Sequence, residues 1–311
     1  MKILLINIDN LERIKGSVEW KNLALEKIRF YYEKHGYTVE DYKNGMLYMP
    51  KKYRSIWISC VFDWNKDKIL QFKNRKTRIG GSGISLIKVL PARIDKIRPK
   101  VNFGFTVRGC PRKCRFCVVP KKEGQIKVVG DIYDIWDGVS EKIVLIDNNF
   151  LAAPEDHFYK IIGQIKKNKL RVDFNQGLDH RLLTDENYAA LKGLKNRYGY
   201  YRFAFDDISQ EKSVIRAIEL MKRHGTAISV WYVLVGFNST FEDAFYRVML
   251  LRKYGQKVFV QRYNRTKERV YIPLSRWANQ YHIFAKFTWK DFLLDPRNPN
   301  WYREMFKECI K

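Results

Sequence analysis

Between residues 102 and 262, short apolar runs alternate with longer amphipathic stretches, and this rhythm restricts the chain to few folds. The runs fall at 102–107, 142–147, 170–175, 200–205, 228–235 and 257–262. Helical spacing of apolar residues fills about 154–168, 181–195, 209–224 and 240–254. Strands that each feed a helix build parallel sheets, because the crossover returns the chain in the same direction. Six such units over 101–265 predict an α/β fold with a partial (βα)6 TIM-like barrel. In such barrels the chemistry sits at the C-terminal ends of the strands.

The first hundred residues repeat the alternation on a smaller scale. KILLIN at 2–7 reads as a buried strand. Lys21–His35 carries Leu23, Leu25, Ile28, Phe30 and Tyr31 at helical spacing, with Gly36 as a C-terminal cap. Strands follow at 37–41 and 53–62, then a helical segment at Lys66–Phe72 and the turn Gly80-Gly81-Ser82-Gly83. This predicts a small doubly wound α/β domain over 1–100. Pro91 and Pro99 mark a linker, with the boundary near Lys100. Past 265 the aromatic stretches RWANQYHIF and FTWKDFLL predict a helical C-terminal cap over 266–311.

No stretch reaches the roughly 20 apolar residues of a membrane helix. MKILLINIDN lacks the basic start and small-residue cleavage site of a signal peptide, so it reads as a first core strand. The expected location is the cytoplasm, away from membranes. The chain carries 59 basic against 33 acidic residues, a formal net charge of +26. That excess favours polyanionic partners, nucleic acid above all. A generally Lys-rich composition produces the same number without such a partner. The cations are spread, at Lys51–Lys52, Lys121–Lys122, Lys166–Lys167 and Arg262–Arg265, so the charge alone leaves both readings open.

The five cysteines are Cys60, Cys110, Cys114, Cys117 and Cys309. An odd number with three crowded into eight residues does not suit a secreted disulfide framework. Cys60, inside YRSIWISCVF, reads as a core residue, and Cys309 as a bystander. Cys110, Cys114 and Cys117 form C-x3-C-x2-C in the loop after the first strand of the barrel region. Three thiolates are awkward for structural zinc, which wants four closed ligands. They suit an iron–sulfur cubane with one iron left open. The nearest histidine, His157, is forty residues past Cys117. A zinc loop borrowing a distant ligand is the alternative.

With Phe116 before the third cysteine, this loop resembles that of the radical S-adenosylmethionine (SAM) superfamily. The wording RGCPRKCRFCVVP is similar to the methylthiotransferase branch and to related branches with a B12-binding or flavodoxin-like N-terminal domain. The resemblance covers 101–265 and, loosely, the first domain. It implies a [4Fe–4S] cluster on Cys110, Cys114 and Cys117, with SAM on the open iron. It also implies reductive cleavage of SAM to a 5′-deoxyadenosyl radical, and an electron donor such as flavodoxin or ferredoxin. Where cobalamin-binding relatives carry Asp-x-His-x-x-Gly, this chain reads Asp9-Asn10-Leu11-Glu12-Arg13, so cobalamin is not expected. The further N-terminal cysteines of methylthiotransferases are absent, and about 46 residues remain after 265, too few for their RNA-binding barrel. That reaction is therefore not carried over.

The other site candidates stand at strand ends. Asp147 or Asn149 is expected to receive the SAM amino group, or to serve only as turn chemistry. Arg181 is a candidate clamp for the SAM carboxylate. Asn175 and Gln176 are candidates for ribose or substrate. Asp179 doubles as a helix cap, and His180 has no evident partner. Asp206 or Asp207 is read as a ribose ligand or an N-cap. Val235 and Asn238 are the adenine-side candidates, beside a Ser239-x-x-Glu242 capping box. Arg262, Tyr263, Asn264 and Arg265 offer groups for a phosphate or base. The substrate classes left open are a nucleic acid or nucleotide, a peptide, and a small metabolite. A non-catalytic metal-containing nucleic-acid-binding protein is the remaining alternative.

Overall fold

The computed structural model describes residues 1–11, 21–263 and 268–310. Asn264, Arg265, Glu12, Arg13 and the Cys309 side chain lie outside the described part. The chain divides into two compact units, Met1–Ile146 and Asp147–Lys311.

The first unit opens with β1 (Lys2–Asn7), α1 (Leu23–Lys34), β2 (Thr38–Asp41), β3 (Tyr53–Ser59) and β4 (Thr77–Gly80). These strands form one parallel sheet in the order β2-β1-β3-β4. Ile3, Leu4, Leu5 and Ile6 are all buried because both faces of the central strand are covered. Ile3 and Leu5 pack with Leu25 and Ile28 of α1 and with Trp57 and Ile94. Leu4 and Ile6 pack on the other face with Ile56, Ile58, Ile69 and Phe72. Each fully buried side chain of this kind contributes about 1.5–3 kcal/mol. The helical segment expected at Lys66–Phe72 is a 3-10 helix, Asp63–Phe72. Cys60 is core, as expected, and burial pushes its thiol up to about 11.

The proline-flanked segment after residue 90 is tied down. It carries α2 (Ala92–Asp95), where Ile94 is buried and Lys27 reaches the Asp95 carboxylate at 2.7 Å. Next come β5 (Phe103–Gly104), β6 (Val107–Arg108), α3 (Val119–Lys122), β7 (Lys127–Val128), α4 (Ile132–Ile135) and β8 (Lys142–Leu145). β5 pairs parallel with β8, and β6 pairs antiparallel with β7.

The second unit contains α5 (Glu155–Lys167), β9 (Arg171–Phe174), α6 (Asp185–Lys192), β10 (Lys195–Asn196), β11 (Arg202–Ala204), α7 (Glu211–Arg223), β12 (Val230–Val235), α8 (Phe241–Lys253) and β13 (Lys257–Arg262). β9 pairs with β10, and β11, β12 and β13 form a three-stranded sheet, all parallel. The pairing sets Phe203, Trp231 and Val258 side by side on one face, all fully buried. The opposite face carries Arg202, Tyr232, Lys257 and Phe259, all partly or largely exposed. Asn279 finishes the edge of β13: its side chain accepts from the Val260 N–H at 2.6 Å and donates to the Val260 carbonyl at 3.2 Å. Residues past 268 form α9 (Tyr271–Ala278), α10 (Tyr281–Lys286), α11 (Trp289–Leu294), α12 (Asn300–Met305) and α13 (Lys307–Ile310). The α/β class with parallel sheets is as the sequence predicts. Among the described residues no helix is long and apolar enough to cross a membrane.

Candidate functional site

The cysteine loop is held at its base by the β6–β7 pair, with Arg108 opposite Lys127. Gly109 leaves β6 with φ +86, in the left-handed region that favours glycine. A Cβ there would stand 2.1 Å from the Gln125 carbonyl oxygen, so the position admits no side chain. Cys110 donates its N–H to the Gly124 carbonyl at 3.1 Å, closing the loop. Beneath it, Arg108 donates to the Glu123 carboxylate at 2.8 Å and lies over the Phe105 ring.

Cys110, Cys114, Cys117 and Phe116 are half-buried. The Arg112 N–H points to Cys110 Sγ at 3.4 Å, and a turn joins the Cys117 N–H to the Cys114 carbonyl at 3.0 Å. Among the described residues, no three His, Cys, Asp or Glu side chains stand close enough together to hold a metal ion. The donor set nonetheless has the right chemistry. Three cysteine thiols lie on one loop, with an amide directed at the first sulfur. Arg108, Arg112, Lys113, Arg115, Lys121 and Lys122 stand against a single local carboxylate, Glu123, an excess of positive charge that would offset the negative charge of a thiolate-bound cluster.

The second unit gathers several of the strand-end candidates. Asp147 and Asn149 are buried just after β8. Asn149 donates to Asp179 Oδ2 at 3.2 Å. Asp179 also accepts two bonds from the Arg181 guanidinium, at 2.6 and 3.1 Å, and caps the turn His180–Leu182 through the Arg181 N–H. Thus Asn149, Asp179 and Arg181 form one connected group. Gln176 stands exposed beside Asn175. Val235 is fully buried, while Asn238 is exposed with φ +48.

Asp206 accepts from the Leu234 N–H at 3.2 Å. Burial pushes its carboxyl up to about 6, against the pull of that N–H and of the Arg247 and Arg181 charges. Asp207 is a cap: its carboxylate accepts from the Ser209 N–H and hydroxyl and is held below the usual range by those bonds.

Two readings change. His180, for which the sequence shows no evident partner, has one: it is buried, 3.1 Å from the Ser213 hydroxyl and packed near Trp231. The capping box before α8 is Thr240 with Asp243, not Ser239 with Glu242, because Thr240 is the last extended residue. Ser239 lies instead 3.4 Å from the Arg247 guanidinium. Sequence reasoning missed Arg247 altogether. It is fully buried and donates to the Phe205 and Leu234 carbonyls at 2.7 and 3.0 Å, tying the ends of β11 and β12 together.

The fold and loop together define an α/β protein with parallel sheets and a three-thiol loop. No family model matches the chain, and no solved structure matches it. The chain is similar to the tRNA-2-methylthio-N(6)-dimethylallyladenosine synthase of Hydrogenobaculum sp. (strain Y04AAS1), at 29% identity over 132 residues. The matched region is 39% of this chain and 29% of that enzyme, so the chain spans under a third of its relative's length.

Proposed function

We propose that the chain is a radical SAM enzyme that modifies a nucleic acid or nucleotide. The C-x3-C-x2-C loop carries this reading, and the likeness to a tRNA-modifying synthase supports it. In this reading residues 101–265 are a partial (βα)6 barrel, 1–100 a small doubly wound domain and 266–311 a helical cap.

Cys110, Cys114 and Cys117 are the residues that would hold a [4Fe–4S] cluster able to take SAM. When bound, such a cluster supplies the single electron for reductive cleavage of SAM. The chain's own residues bind and orient. Gly109 and the Gly124 carbonyl fix where the loop begins. The Arg112 N–H, directed at Cys110 Sγ, orients the first sulfur. Phe116 supplies an apolar wall. Asp147 or Asn149 receives the SAM amino group, and Arg181, held flat by Asp179, receives its carboxylate. Gln176 bonds ribose or substrate, and the backbone at Val235 meets adenine beside Asn238. The reductant is a small protein such as flavodoxin or ferredoxin.

The test is anaerobic reconstitution with iron and sulfide, reduction with dithionite, and assay of 5′-deoxyadenosine. Product that disappears in Cys114→Ala supports the reading. A site that takes zinc and no iron overturns it and leaves a metal-containing nucleic-acid-binding protein.

A further inference from the structure

A cavity of about 450 Å³ opens at the N-terminal edge of β13 in the second unit. It lies at the opposite end of the strands from Asp206 and Val235. Its wall includes Arg252, Lys253 and Lys257, the rings of Tyr281 and Phe284, and the apolar Ile228 and Met249. No carboxylate lines it.

Lys257 is the telling group. Its ammonium lies over two rings, 4.8 Å from the centre of Tyr200 and 5.3 Å from that of Tyr281. Among the described residues it makes no ion pair. Aromatic faces hold a cation in place without neutralising it. Lys253, at the C-terminal end of α8, is exposed and, among the described residues, likewise makes no ion pair. The Arg252 guanidinium is engaged by the Phe284 and Phe287 carbonyls, so it adds fixed positive charge more than reach. The aromatic surface continues outward from Tyr200. Tyr198 stacks near it at 6.4 Å between ring centres, and the Arg197 and Arg202 guanidinium groups lie over Tyr198.

We infer that this edge of the second unit is a binding site for single-stranded nucleic acid. Lys253 and Lys257 take backbone phosphate in the cavity, and the ring edge from Tyr281 through Tyr200 to Tyr198 offers surface to unstacked bases. Charge complementarity selects the occupant: Lys253 and Lys257, with no carboxylate in the cavity wall, call for a polyanion, and aromatic rings beside them favour a strand whose base faces are open, while Arg202 is already paired with Asp173. A duplex hides those faces. The inference extends the proposed substrate class but does not depend on the cluster, because binding can be measured without SAM or reductant.

The experiment is fluorescence anisotropy of a labelled 12-nucleotide oligouridine against the full chain over a range of salt, with a 12-base-pair duplex as comparison. Lys253→Gln/Lys257→Gln should weaken oligouridine binding by roughly 30-fold at 0.15 M salt and lower the salt slope by about 1.5, as expected for two lost phosphate contacts. Its thermal melt should match the parent chain, and its 5′-deoxyadenosine formation without oligonucleotide should be unchanged. A double variant with unaltered affinity and slope overturns the inference. So does a parent chain that binds the duplex as tightly as the single strand. Loss of 5′-deoxyadenosine formation in Cys114→Ala with oligouridine binding intact separates this site from the radical chemistry.

Discussion

Asp179 grips Arg181 with both carboxylate oxygens, Oδ1 accepting from Nε at 2.6 Å and Oδ2 from a terminal nitrogen at 3.1 Å. The Asp179 side chain is 5% exposed and the Arg181 side chain 30%, so the two ends of the pair differ in what removal leaves behind. Without Arg181, a buried carboxylate loses its adjacent cation. Without Asp179, the guanidinium still reaches water. Arg181→Leu should therefore cost about 2–3 kcal/mol, and Asp179→Leu/Arg181→Leu should recover most of it. Urea unfolding of the singles and the double gives the coupling directly. Strictly additive costs would show that the pair is not coupled.

Gly109→Ala should cripple the cysteine loop more than the fold. The added Cβ meets the Gln125 carbonyl oxygen at 2.1 Å and the Gly124 carbonyl oxygen at 2.8 Å, both backbone atoms that cannot swing aside. The positive φ adds strain of about 1–2 kcal/mol. The expected outcome is a sharp fall in iron bound per chain after reconstitution, with the far-ultraviolet circular dichroism unchanged. Gly124→Ala makes a useful contrast: its φ is also positive, but a Cβ there meets nothing within 4 Å, so iron loading should fall less.

Much of this architecture is legible because burial imposes a pattern. The continuous KILLIN run announces a strand covered on both faces, and the amphipathic stretch expected at 240–254 is α8, Phe241–Lys253. Frames that overlap are less legible. Ser239-x-x-Glu242 and Thr240-x-x-Asp243 both spell a capping box, and only the backbone conformation of Thr240 decides between them. The cysteine spacing is local and readable, but the union of Asn149 with Asp179 joins groups thirty residues apart, and no spacing rule reports that. Arg247 does leave a signal in the sequence. Ala244, Val248 and Leu251 mark the buried stripe of α8, and a charge at 247 falls within it.

That buried guanidinium leads to a stability prediction. Arg247 donates to one carbonyl at the end of β11 and another near the end of β12, and it is fully buried. Arg247→Met fills similar volume but leaves both carbonyls without these donors, at an expected cost of about 2–4 kcal/mol. Arg247→Lys should recover only part, because a single ammonium lacks the fork that spans two acceptors. Chemical denaturation ranks the three chains. A lysine variant as stable as the parent would mean that charge, not the fork, is what the site needs.

Asp206 should make stability depend on pH in the direction opposite to an ordinary ion-paired carboxylate. Burial pushes its carboxyl up to about 6, while an unfolded aspartate titrates near 3.9. Between these values the folded chain holds a proton that the unfolded chain has released. Unfolding then sheds protons, so stability falls as pH rises from about 4 to about 6 and levels off above that window. The penalty above pH 6 is of order 1–3 kcal/mol, since each tenfold loss of acidity on folding is worth about 1.4 kcal/mol and the side chain keeps some contact with water. Asp206→Asn keeps an acceptor for the Leu234 N–H and removes the titration. The variant should match the parent near pH 4 and exceed it above pH 6, measured by urea unfolding at several pH values in constant salt. Parallel curves for the two chains would show that the Asp206 carboxylate is as well solvated folded as unfolded.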